Sequence, residues 1–283
     1  MHPIERLRWV ARSPEGDLSA AAAEAAEALA AFADDPAGLV IASRRLIERR
    51  PEAAPLWWLA SRMLCSLEPE FEAISAAAEL ERDRTPVALA GDLPGGTVAI
   101  VGWPDQAAAA LRMRARMGGA GRSAGAAADR VVVLASGPGA EASAPDWRRD
   151  EAWGCADWLQ SHGVDARLVR SGEAEVAARR CVLALLEATA VGPESFVAVS
   201  GSAALAAAAR AARRPVWLVA GVGRVLPGPL YEALVRRIEA DPSYEVVPLT
   251  GVDDVTGPAG PVPPARMPRP ACPVAAELLR FSG

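Results

Sequence analysis

The side chains best suited to chemistry fall in five short stretches: Gly102-Trp103-Pro104-Asp105, Ser136-Gly137, Glu187-Ala188-Thr189 with Glu194 beyond it, Ser200-Gly201-Ser202, and Gly221 to Arg224. Four of them follow short apolar runs that read as strands, and the two serines open an alanine-rich helix. In an open parallel sheet such loops gather at the carboxyl edge, where ligands bind. Asp105, Glu187 and Glu194 are the candidate catalytic groups, because burial at such an edge can raise a carboxyl pKa toward neutrality. Gly102, Trp103, Ser136, Gly137, Thr189, Ser200, Gly201 and Ser202 are the candidate ligand-binding residues. Backbone N–H groups at the helix start suit an anion, although helix capping accounts for the serines equally well.

Other chemistries find little support. Gly137-Pro138-Gly139-Ala140-Glu141-Ala142 matches the dinucleotide fingerprint, but Pro145 follows and the helix starts only near Asp146, so the glycines do not open it. Gly221-Val222-Gly223 follows a strand, yet Leu226 stands where a third small residue is needed. No nicotinamide or flavin cofactor is expected. His2 and His162 are the only histidines and no G-x-S-x-G elbow occurs, which argues against a serine triad. His162, in Ser161-His162-Gly163, reads as the end of a helix capped by Gly163. The four cysteines form no CxxC pair and the carboxylates are scattered, so no metal site is expected.

The elements that must position these loops divide the chain. Residues 1–86 read as helices over 4–12, 18–33, 39–50, 56–66 and 71–82, broken at prolines that can start a helix but not continue one. Trp57 and Trp58 fall in the fourth; core is the preferred reading and a partner surface the alternative. From residue 87 to 256, apolar runs at 98–101, 131–135, 166–169, 182–186, 216–220 and 245–249 alternate with helix-length segments, as in a parallel sheet covered on both faces. Residues 112–129, rich in glycine and arginine, read as a loop. Residues 257–283 read as a Pro/Gly-rich arm ending in a docking helix. The fold class is therefore α/β, a helical N-terminal domain followed by a Rossmann-like, mostly parallel sheet.

Composition agrees with a globular chain: hydrophobic residues are 51% of 283 and charged residues 23%, enough for a core. The net charge of −5 argues against a broadly basic nucleic-acid surface. No apolar run reaches the length of a membrane span and no signal peptide is apparent, so a cytoplasmic location is expected.

The unit from Cys181 to Leu226 resembles the superfamily of the alpha, beta and delta subunits of eukaryotic translation initiation factor two-B, which also holds the methylthioribose-phosphate and ribose-bisphosphate isomerases. There a strand ends in Gly-Ala-Asp, a loop carries Asn-Gly, and a helix opens at Asn-Lys-x-Gly-Thr before a strand led by Pro. The corresponding positions are Glu187-Ala188-Thr189, Gly192-Pro193, Ser200-Gly201-Ser202 and Pro215-Val216. Leu134-Ala135-Ser136-Gly137-Pro138 is similar to the family's Glu-Ser-Arg-Pro, with Gly137 in place of the arginine. The resemblance implies a homodimer with a helical N-terminal domain. It also implies isomerase catalysis by a cysteine after the first strand and the aspartate of Gly-Ala-Asp. Here Gly102-Trp103-Pro104-Asp105 and Thr189 stand at those places, and a hydroxyl cannot serve as general base near neutral pH. The expectation is a noncatalytic protein binding a small phosphorylated metabolite or nucleotide. The alternatives are an aldose–ketose isomerase using Asp105 with Glu187 or Glu194, and a translation-associated protein that binds a partner through Trp57 and Trp58.

Overall fold

The structure, a computed structural model, describes residues 18–118, 130–137, 146–268, 270 and 272–280. The expected helix over 4–12, His2, most of the Gly137–Ala142 motif and the second half of the expected 112–129 loop lie outside those residues.

Five helices come first: α1 (Leu18–Ala30), α2 (Pro36–Arg49), α3 (Ala54–Cys65), α4 (Pro69–Glu81) and α5 (Thr85–Asp92). Proline occupies the first or second position of α2 to α5, where a missing N–H costs nothing and the fixed φ favours the helix. At the start of α2 the Asp35 carboxylate accepts the Gly38 N–H at 2.9 Å, satisfying one of the otherwise orphaned donors. The apolar stripe of α1, including Ala22, Ala25 and Leu29, packs with Leu56, Trp57 and Leu59 of α3 in one core.

The α/β part runs β1 (Thr97–Val101), α6 (Asp105–Gly118), β2 (Arg130–Leu134), α7 (Asp146–Ser161), β3 (Asp165–Val169), α8 (Ala174–Arg180), β4 (Leu183–Glu187), β5 (Ala190–Val191), β6 (Ser195–Val199), α9 (Ser202–Ala211), β7 (Val216–Val219), α10 (Gly228–Ile238), β8 (Tyr244–Pro248), β9 (Asp254–Gly257), β10 (Gly260–Val262) and α11 (Ala276–Leu279). Seven strands form one sheet in the order β10-β9-β7-β4-β1-β2-β3. All its pairs are parallel except β10 with β9. Val98 to Val101 and Leu183 to Leu186 are almost wholly buried, as expected of strands with helices on both faces. The α/β class and the parallel sheet are thus as the apolar runs predict.

Three elements differ from expectation. Residues 245–249 do not join the main sheet: β8 pairs antiparallel with β6, and β5, β6 and β8 form a separate three-stranded sheet. The strand beside β7 is instead β9, which ends where the segment read as an arm begins, and β10 within that segment pairs with it. Residues 112–118 are not a loop but the last two turns of α6; the alanines and Leu111 before them and the Arg, Met and Ala within them are strong helix formers.

Trp57 and Trp58 are 0% and 5% exposed, which removes them as a free partner surface. Their core continues across α10, whose Leu230, Tyr231, Leu234 and Ile238 are buried in it, and Arg237 lies 5.7 Å from the Trp57 ring. Leu278 of α11 enters the same core, while the Ser61 hydroxyl donates to Pro273 O and accepts from the Ala275 N–H. Among the described residues no helix is long and apolar enough to cross a membrane.

Trp57 also donates its indole N–H to Pro51 O at 3.0 Å. Replacing it by alanine is expected to cost about 3–5 kcal/mol, the range for truncating a large buried aromatic, read as a lower midpoint in urea unfolding.

Candidate functional site

Parallel pairing brings the carboxyl ends of β1, β2, β4 and β7 to one edge of the sheet. A cavity of about 360 Å³ opens there, within the range of small-molecule sites. Of the residues singled out from sequence, Trp103, Asp105, Glu187, Thr189 and Ser202 line it. The helical region closes it with Leu18 and Arg50, and Arg224 and Tyr244 complete its polar wall. Arg50 was not foreseen: it caps the end of α2, and no local pattern sets it apart from the other arginines.

Gly102, Ser136, Gly137, Ser200 and Gly201 do not line the cavity. They pack together at the strand ends. Gly102 has φ +64° and donates to Leu134 O, while the Gly137 N–H donates to Ser200 O. A Cβ on Gly102 would press on the Ser136 side chain at 3.3 Å, so glycine is required by both conformation and contact. The Ser136 hydroxyl is buried without a partner among the described residues. Glu194 is exposed on the β5–β6 turn, away from the cavity.

The serines at the start of α9 are turned inward. Ser200 donates its hydroxyl to Pro242 O at 2.5 Å and Ser202 to Val199 O at 2.7 Å. No side chain of the N-cap serves the helix, because that residue is Gly201 with φ +104°. Instead the Glu245 carboxylate accepts the Ala203 N–H at 2.8 Å.

At the heart of the edge is an ion pair. Arg224 Nη1 donates to Glu187 Oε1 at 2.8 Å and to Ala188 O at 2.6 Å, with the side chains 1% and 8% exposed. Glu187 Oε2 accepts the Ala107 N–H at 2.9 Å, so the carboxylate sits at the positive end of α6. Burial pushes the Glu187 carboxyl above its ordinary range, while Arg224 and the N–H groups of Ala107 and Gln106 pull it down. The Nε and Nη2 groups of Arg224 are buried with no partner among the described residues.

A second carboxylate secures the surroundings. Asp83, between α4 and α5, accepts from the Thr85 N–H and hydroxyl through Oδ1, and from Gln106 Nε2 at 2.7 Å and the Val222 N–H at 2.9 Å through Oδ2. This ties the helical region to α6 and to the β7–α10 loop. A Cβ on Gly221 would overlap both Asp83 and Gln106, which explains the glycine there.

Catalytic capacity is limited by these contacts. The Thr189 hydroxyl is directed to Val197 O at 3.4 Å. Cys155 is the thiol that senses the charges of Asp105 and Glu187, yet burial first, and then those two carboxylates, push it up to about 12. His162 ends α7, its Nδ1 2.8 Å from Trp158 O, with Gly163 following at φ +83°. That is a capping role, outside the cavity.

Two predictions follow from the geometry. Glu187→Ala leaves the Arg224 charge buried and uncompensated and is expected to lose about 3–5 kcal/mol in denaturant unfolding. Alkylation of the native protein at about pH 8, where an ordinary thiol is partly ionised, is expected to label exposed Cys65 and spare Cys155 until the chain is unfolded; mass spectrometry of the peptides reads the difference.

No family model matches the sequence, and no curated protein matches it. Solved structures do. The translation initiation factor eIF-2B of Pyrococcus horikoshii superposes with a TM-score of 0.75 at 16% identity, over 93% of this chain and 98% of that one. A subunit of the tetrameric eIF2B-beta2-delta2 complex of C. thermophilum gives 0.70 at 17%, over 94% and 91%. The 5-methylthioribose 1-phosphate isomerase of Pyrococcus horikoshii gives 0.62 at 17%, over 93% and 84%. From helical region to closing strands, this chain has the fold shared by eIF2B subunits and methylthioribose-phosphate isomerase.

Proposed function

We propose that the chain is a noncatalytic protein of initiation-factor-two-B type, which binds a small phosphorylated metabolite, a sugar phosphate or a nucleotide, in the cavity between its helical region and the sheet edge. The observation that carries the reading is the state of Glu187. It is the carboxylate at the end of β4, yet both its oxygens are engaged by Arg224 and Ala107, and a general base needs a lone pair directed at the proton it takes. Thr189, where the resembling isomerases have their aspartate, offers only a hydroxyl. Binding capacity is better supported. Arg224 and Arg50 line the cavity, and guanidinium groups are well matched to phosphate oxygens. Likeness of fold to a protein named for a sugar phosphate favours that class of ligand.

A second reading rests on Asp105, which also lines the cavity: an aldose–ketose isomerase with its acid–base group moved to the start of α6. Proton NMR of sugar phosphates incubated with the protein separates the two, since solvent deuterium entering the carbon next to the carbonyl marks turnover. Homodimerisation is part of the proposal, supported by the assembly of an eIF2B of the same fold into a tetramer.

Thermal unfolding with a panel of sugar phosphates and nucleotides tests binding. A ligand at about a hundred times its Kd adds about 2.7 kcal/mol, a shift of several degrees for a chain of this size. A folded sample stabilised by none of them contradicts the proposal.

A further inference from the structure

The ligand can be narrowed by the shape of the cavity wall, on the reading that the cavity receives a small phosphorylated metabolite. We infer that Trp103 is a stacking platform and that the ligand carries a planar ring, which makes it a nucleoside phosphate and not a bare sugar phosphate. Every other residue lining the cavity is buried or half-buried, whereas Trp103 is 38% exposed. An indole open to water is the largest apolar surface that a ligand there can cover. Its burial is the largest hydrophobic gain the site offers.

The ring is held on one side and open on the other. Trp103 lies in the β1–α6 loop, and α7 supports it. A Cβ on Gly154 would fall 2.8 Å from Trp103 Cζ3, so the indole occupies the space that any side chain at 154 would need. One turn further along α7, the Trp158 ring has its centroid 6.3 Å from that of Trp103, at 46°. Glu151, one turn before Gly154, lines the cavity, so the face of α7 that carries the indole also borders the cavity. What α7 leaves uncovered therefore opens toward the ligand, and a ring already fixed by packing loses little freedom when it is covered. A pentose phosphate presents mainly hydroxyls and a phosphate to such a surface. A nucleobase presents a π-face, which stacks on aromatic side chains whatever the base.

Calorimetric titration of the full chain with adenosine 5′-monophosphate and ribose 5-phosphate is the test, because the two share the pentose and the phosphate and differ in the base. The nucleotide is expected to bind about tenfold more tightly or better, a difference of about 1.4 kcal/mol by the affinity relation, and to quench tryptophan fluorescence that the sugar phosphate leaves unchanged. Trp103→Leu is expected to bring the two affinities within about threefold of each other. Trp103→Phe, which keeps a smaller ring, is expected to retain part of the gap and serves in its place if the leucine variant does not fold. Ribose 5-phosphate binding as tightly as the nucleotide or more so, or a gap that these substitutions leave untouched, overturns the inference alone. Binding of neither compound overturns the reading of the cavity, and the inference with it.

Discussion

Burying two opposite charges side by side is expensive unless both are fully engaged, and the Glu187–Arg224 pair sets that constraint on the rest of the molecule. Desolvation costs several kcal/mol per ion, and the partners that offset it come from separate parts of the chain. Glu187 ends β4, the Ala107 N–H belongs to the first turn of α6, and Ala188 O lies in the β4–β5 turn. Arg224 itself comes from the β7–α10 loop, which Asp83 of the helical region holds through the Val222 N–H. Displacing any one segment would leave a charge or a carbonyl without its partner. The order of the strands in the sheet supplies the proximity, and the ion pair fixes how the loops sit at that edge.

The same arrangement decides what the cavity can offer. A carboxylate held by a guanidinium and a helix start is a structural charge, poorly placed to shuttle protons. The hydroxyls nearby are likewise directed into the fold, Thr189 to Val197 O and Ser202 to Val199 O. What faces the cavity is a wall of mixed charge with Trp103, Leu18 and the apolar strand ends. Such a wall pairs buried charge with apolar surface at the edge where the loops of a parallel sheet converge.

Much of this was legible from residue order, and the exceptions have physical reasons. Strands β1, β2, β4 and β7 are buried on both faces, so they appear as unbroken apolar runs. β6 is equally apolar and as long as β1, but it runs straight into Ser200-Gly201 and α9, so its residues merge with the approach to the helix. Val246 and Val247 of β8 have the same apolar texture as a main-sheet strand; only the long-range pairing with β6 assigns them elsewhere. β9, with Asp254 and Thr256 in four residues, carries too weak a pattern to be read. At the site, Trp103, Asp105, Glu187, Thr189 and Ser202 were legible because loops after parallel strands converge. The coupling of Glu187 to Arg224 was not, since the two lie 37 residues apart and nothing local marks either as the other's partner. Occupation of the α9 start by Glu245 was hidden for the same reason, and the serines there suggested an open anion site.

Glu187 and Arg224 act as one unit on which the edge depends. A double-mutant cycle measures it directly: urea unfolding of the unaltered protein, Glu187→Gln, Arg224→Met and the double variant. If the pair acts as one unit, the two single changes together cost more than the double change, with a coupling of about 2–3 kcal/mol, at the upper end for residues in contact. Additive effects, with a coupling within about 0.5 kcal/mol of zero, would contradict it.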